Sequence, residues 1–93
     1  MTHYIIAKFK TNYNWKDLIE DIKALFENAL EIEGVSKVVV KKSCSSMENR
    51  ADIMIEMELS KEGLKNFDDS RIHSTWKQQY GDMIVSKTIF DCE

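Results

Sequence analysis

The two imidazoles of this 93-residue chain, His3 and His73, titrate near neutral pH, so acid, base or polar-anchor chemistry is sought there first. His3 opens an apolar run and shares one face of it with Ile5, Ala7 and Phe9. That position suits either a strand histidine satisfied by one hydrogen bond or a ring that lines a cavity. His73 follows Asp68-Asp69-Ser70-Arg71-Ile72 and precedes Trp76. It is either a surface residue beside acids or an imidazole that those acids orient for proton transfer. Cys44 and Cys92 have no Cys or His at a metal-ligand spacing and read as free thiols. Asp68-Asp69, and Asp91 with Glu93, have the chemistry of hard-cation ligands, but neighbouring carboxylates of this kind are ordinarily solvated. No metal or other cofactor is therefore expected. Three glycines are too few for most phosphate loops and dinucleotide fingerprints, and neither those motifs nor a nucleophile elbow or zinc motif occurs.

The basic residues Lys37, Lys41, Lys42 and Arg50, with Lys8 and Lys10, read as a solvated strand edge that discourages edge-to-edge pairing. The net charge of -3 supplies no overall field for a polyanion, and no basic residue is followed by Gly-Phe-Gly-Phe, so nucleic acid is not an expected partner. A composition 43% hydrophobic and 31% charged, without proline, fits one compact domain over residues 1–93 and excludes disordered, collagen-like and disulfide-scaffold chains. No apolar run approaches the length of a membrane span and no leader pattern opens the sequence, so a reducing, cytoplasmic setting is expected.

These side chains must be positioned by a small set of elements. The run His3–Lys10 has strand composition. Trp15, Leu18, Ile19, Ile22, Leu25, Phe26, Ala29 and Leu30 then recur at steps of three and four, which predicts one helix capped by Asn14 and stopped at Gly34. Val35–Lys42 is a second strand, Ser43–Arg50 a polar turn region, and Asp52–Leu59 an alternating third strand. Ser60 caps a second helix carrying Leu64 and Phe67, and a further helical piece runs from Ile72 to Tyr80, ended by Gly81. Met83–Phe90 is the fourth strand, with Ile84 and Phe90 on one face and Met83, Val85 and Ile89 on the other. The order β-α-β-β-α-β is the ferredoxin-like arrangement, an α+β fold with an antiparallel sheet. Both sheet faces are substantially apolar in this reading, and helices cover one of them. Folding so short a chain buries roughly 65% of its extended surface, which leaves little core to spare. Sheet-to-sheet packing of two identical chains is the economical way to cover the second face, so a homodimer is expected.

The run His3-Tyr4-Ile5-Ile6-Ala7-Lys8-Phe9-Lys10 resembles the first strand of the stress-responsive α/β-barrel (Dabb) domain family. Glu33-Gly34-Val35-Ser36-Lys37-Val38 is similar to that family's passage from helix end into strand two, and Ala51–Leu59 to its third strand. Phe67 to His73 is similar to its tyrosine-through-histidine segment, and Thr88-Ile89-Phe90-Asp91 to its terminal strand. The resemblance implies a ferredoxin-like protomer whose sheet packs on a second sheet to form a dimeric α/β barrel. It also implies a pocket within each protomer, at positions held here by His3 and His73. In the plant polyketide-cyclase branch a histidine matching His73 acts as base beside a tyrosine, a position held here by Phe67, and Arg71 replaces the usual proline.

Three functions follow as expectations. One is a dimer that binds a small, largely apolar ligand in a pocket lined by His3, Ile5, Ala7, Phe67, His73 and Trp76. Another is a cyclase- or lyase-like enzyme in which His73 removes a proton next to a carbonyl and His3 holds the developing charge. The last is a structural stress-related dimer whose cavity is filled by side chains.

Overall fold

The computed structural model describes residues 1–93, in which four strands and three helices follow in the order expected. β1 is Thr2–Phe9, α1 Ile19–Glu27, β2 Val35–Lys42 and β3 Ile53–Leu59, followed by α2 Lys61–Asp68, α3 Arg71–Tyr80 and β4 Ile84–Cys92. The sheet order is β2-β3-β1-β4 with every neighbouring pair antiparallel, as a ferredoxin-like fold requires.

The long amphipathic helix expected from Trp15 to Leu30 is divided. A 3-10 turn at Trp15–Asp17 precedes α1, and another at Asn28–Glu31 follows it. The Asn14 side chain does cap this start, accepting a hydrogen bond from the Lys16 N–H at 3.3 Å. Tightening to three residues per turn rotates the last part of the apolar series. Ile19, Ile22, Phe26 and Ala29 remain in the core, whereas Leu30 is 49% exposed. Ser60 caps α2, its Oγ accepting from the Gly63 N–H at 2.9 Å, and Ser70 caps α3 by accepting from the His73 N–H at 3.3 Å. Arg71 is thus the first residue of α3, the helix position that tolerates proline best, so arginine there leaves the chain path intact. Gly81 ends α3 in right-handed geometry and passes into a further 3-10 turn, instead of adopting the left-handed stop expected of it.

On the helix side of the sheet lie His3, Ile5, Ala7 and Phe9 of β1, beside Ile53, Ile55, Met57 and Leu59 of β3, and all eight are buried. Phe26, Phe67 and Trp76 pack onto them from the helices, with Phe26 and Trp76 in an edge-to-face pair 5.2 Å apart. The register of β1 with β4 jumps from Lys8↔Ser86 to Phe9↔Ile84, so Val85 is an extra residue. This bulge reverses the parity of β4. Ile84 packs against the core, whereas Phe90 lies opposite Tyr4 on the other face, correcting the expectation that the two share one. Met83 lies outside the strand. The uncovered face carries Tyr4, Ile6, Val39, Met54 and Phe90, interrupted by Glu56, whose carboxylate pairs with Lys37 at 3.6 Å and Lys41 at 3.7 Å.

β2 and α2 meet through two glycines. Gly34 has φ +94°, and a Cβ placed on it would come within 2.6 Å of the Gly63 Cα; one on Gly63 would collide with the Gly34 carbonyl. Alanine at Gly63 is therefore expected to destabilise the fold by roughly 2 kcal/mol or more. Urea unfolding followed by circular dichroism checks this against Gly81→Ala, where a Cβ meets nothing within 4 Å and the midpoint should hold.

Candidate functional site

The register that builds the core also closes a cavity of about 280 Å³ between β4 and the α2–α3 pair. β1 contributes His3 and Ile5, α2 contributes Leu64 and Asp68, α3 contributes His73 and Trp76, and β4 contributes Lys87, Ile89 and Asp91. The two histidines that the sequence singled out, 70 positions apart, thus share one chamber.

Each imidazole is anchored through the same nitrogen. His3 lies opposite Asp91 in the β1–β4 ladder, and its Nδ1 approaches Asp91 Oδ1 at 2.5 Å. A carboxylate oxygen accepts, so the Nδ1 N–H donates to it, and Nε2 has no protein partner. Asp91 is 41% exposed at its side chain, against 6% for His3, so the carboxylate remains hydrated while it satisfies a buried ring. His73 Nδ1 donates to the Asp68 backbone carbonyl at 3.1 Å. The main chain, and not the neighbouring carboxylates expected to orient it, therefore holds this ring. Its Nε2 is likewise free of protein partners.

Phe67 connects the pair from behind. Its ring centroid lies 6.2 Å from that of His3 and 5.1 Å from that of His73. It is fully buried, carries no hydroxyl, and supports the two imidazoles without forming the cavity wall assigned to it from the sequence. Ala7 is also absent from the wall, because its methyl is wholly covered by the core. Ile5 and Trp76 line the chamber. Sequence reasoning overlooked Leu64, Lys87, Ile89 and Asp91 as wall residues. Period two along β4 places Lys87, Ile89 and Asp91 on one face, but only the β1–β4 pairing shows that this face meets His3. Lys87 makes no ion pair. The polar side chains leave the wall less apolar than the sequence suggested.

No three His, Cys, Asp or Glu side chains are grouped so as to hold a metal ion. Cys44 is exposed and Cys92 half-buried, and neither forms a disulfide. The two phenols with displaced pKa values lie outside the chamber: burial, then the Asp21 charge, raises Tyr80, while lost hydration, then Glu56, raises Tyr4. No helix is long and apolar enough to cross a membrane.

A four-stranded antiparallel sheet covered on one side by helices defines the class as ferredoxin-like, and solved structures of that class match the chain over nearly its whole length. It is similar to a dimeric ferredoxin-like protein of unknown function from Thermobifida fusca, with TM-score 0.80 and 11% identity, over 96% of this chain and 85% of that one. It is also similar to a dabb family protein with a ferredoxin-like fold from Mesorhizobium loti, with TM-score 0.67 and 14% identity, over 99% and 93% of the two chains. A hydroxynitrile lyase from Passiflora edulis matches with TM-score 0.74 and 14% identity, over 96% and 87%. No family model and no curated protein matches the sequence. The fold implied by the Dabb resemblance is the fold observed, and a Dabb-type protein is among those that share it.

Truncating Asp91 removes the acceptor that selects the His3 tautomer. In Asp91→Ala, long-range ¹H–¹⁵N spectra should show loss of the Nδ1-protonated preference at His3 while His73 keeps its own, with a stability cost of about 1 kcal/mol.

Proposed function

We propose that this chain is a homodimeric, ferredoxin-like small-molecule binding protein whose ligand occupies the chamber between His3 and His73. The observation that carries the reading is the anchoring of both Nδ1 atoms, which leaves two oriented Nε2 atoms in one cavity. Ile5, Leu64, Trp76 and Ile89 supply the apolar contact. A volume of about 280 Å³ lies just below the roughly 300–1,000 Å³ of drug-sized pockets, so the fitting ligand is compact. It has an apolar body and one hydroxyl to donate to an imidazole Nε2. Free thiols suit a reducing, cytoplasmic compartment.

The second copy covers the open sheet face. Tyr4, Ile6, Val39, Met54 and the 56%-exposed Phe90 provide the apolar area, and the Lys37–Glu56–Lys41 cluster enters the interface already paired. The dimeric ferredoxin-like protein of Thermobifida fusca supports this reading by its assembly. Light scattering should give twice the mass of 10.9 kDa at micromolar concentration, and Ile6→Asp should shift the protein to monomer. A wild-type monomer would refute the dimer.

A second reading, lyase- or cyclase-like catalysis, is favoured by the His3–Asp91 pair, because a carboxylate behind an imidazole fixes the ring's orientation in the cavity. The hydroxynitrile lyase of similar fold supports it too. Here one imidazole removes a proton next to a carbonyl and the other holds the oxygen, with His73 as base and His3 as anchor. Phe67 supplies no hydroxyl for either step.

A thermal-shift screen of compact carbonyl and hydroxy compounds separates the readings. Binding without turnover, weakened about tenfold in His73→Ala and in His3→Gln, supports the binding protein. Turnover with a bell-shaped pH profile that His73→Ala abolishes supports the enzyme. No stabilising compound, with a side-chain-filled cavity, would leave a structural dimer.

A further inference from the structure

The lysines interpreted from sequence as a guarded strand edge do not lie on one edge. β2 is an edge strand, but β1, which carries Lys8, is hydrogen-bonded on both sides. Lys8 of β1 and Lys42 at the end of β2 instead line, with Lys16 of the turn before α1, a second cavity of about 510 Å³. That volume falls inside the range of small-molecule sites, whereas the histidine chamber falls just short of it.

Three features of this cavity suit a dianion. None of its lysines is ion-paired, since the only salt bridges in the molecule involve His3, Lys37 and Lys41. Lys8 Nζ donates to the Arg50 carbonyl at 3.1 Å, which holds the ammonium in place and leaves it further N–H donors. The loop after β2 adds hydroxyls. Ser43 Oγ accepts from the Ser45 N–H at 3.0 Å and Ser45 Oγ accepts from the Met47 N–H at 3.1 Å, so each serine is fixed as an acceptor and keeps its own O–H to donate. Against the three cations stand two carboxylates: Asp52, which accepts from the Phe9 N–H at 2.8 Å, and Glu48. Beside the polar groups lie the half-buried Trp15 indole, with Lys16 Nζ over its ring at 5.9 Å from the centroid, and the edge of the buried Ile19.

The geometry points to a binding site for a small organic phosphate, independent of the histidine chamber. The phosphate takes the lysine ammoniums and serine hydroxyls, and a flat apolar body lies against Trp15 and Ile19. A carboxylate would use one or two of these donors, whereas the three oxygens of a phosphate monoester use the set.

The test is titration of ¹⁵N-labelled protein with phenyl phosphate, phenol and inorganic phosphate in parallel. Phenyl phosphate should give saturable shifts at the Trp15 indole N–H and the Ser43–Met47 amides, with a dissociation constant of about 1 mM or tighter that weakens with added salt. Phenol should not saturate, and inorganic phosphate should bind more weakly. Lys16→Ala and Lys42→Ala, both at exposed positions, should each weaken phenyl phosphate about tenfold while the His3 and His73 resonances stay in place. Unsaturated shifts, equal binding of phenol, equal binding of inorganic phosphate, or unchanged affinity in the lysine variants would overturn the proposal. Binding in the histidine chamber is unaffected by each of these outcomes.

Discussion

β1 is hydrogen-bonded along both edges, and the remainder of the molecule is arranged around that constraint. Enclosed between β3 and β4, it directs alternate residues to a fully covered face, where Ile5, Ala7 and Phe9 are 1%, 0% and 3% exposed. His3 belongs to the same row and is 5% exposed, which commits a polar ring to an apolar surface. Leaving such a ring unsatisfied would cost about 1–3 kcal/mol. The antiparallel register supplies the remedy, because it sets Asp91 directly across from His3. A structural requirement of the strand and the orientation of an imidazole in a cavity are one interaction.

The opposite wall is set by the junction of α2 and α3. Ser70 accepts from the His73 N–H and donates from its hydroxyl to the Phe67 carbonyl at 2.6 Å, joining the end of one helix to the start of the next. The Asp68 carbonyl then takes His73 Nδ1, so backbone and ring are both tied to the same turn. Phe67 transmits the arrangement to the core through Phe26, 6.1 Å away, and touches both imidazoles. Phe67 brings no O–H to the site and supplies the support on which the rings rest. The close approach of Gly34 and Gly63 sets α2 near enough to the sheet for this contact.

Much of the fold was legible because its signals are local. Alternation in Ile53–Leu59, the apolar spacing through Ile19, Ile22 and Phe26, and the caps at Asn14 and Ser60 are each read within a few residues. Failures occurred where long-range packing overrode a local rule. The bulge at Val85 moved Ile84 to the face opposite Phe90, and the 3-10 turn at Asn28–Glu31 carried Leu30 out of the core. Gly81 stopped a helix without the left-handed geometry that glycine permits. Chemistry at the two ends of β1 depends on the same long-range contacts, with His3 meeting a β4 carboxylate and Lys8 lining a cavity with residues from a turn and another strand.

Residue order alone determined the succession of elements, the grouping of His3 with Ile5, Ala7 and Phe9 on one strand face and the candidacy of His3 and His73, because hydrophobic periodicity and imidazole chemistry are properties of short stretches and single side chains. Only the tertiary structure decided which nitrogen of each ring is occupied, that Asp91 and not an acid near His73 supplies the carboxylate, and that Ala7 and Phe67 lie behind the cavity wall. The partners concerned stand 88 positions apart for His3 and Asp91, and no local pattern encodes the register of strands that meet only after the chain has folded.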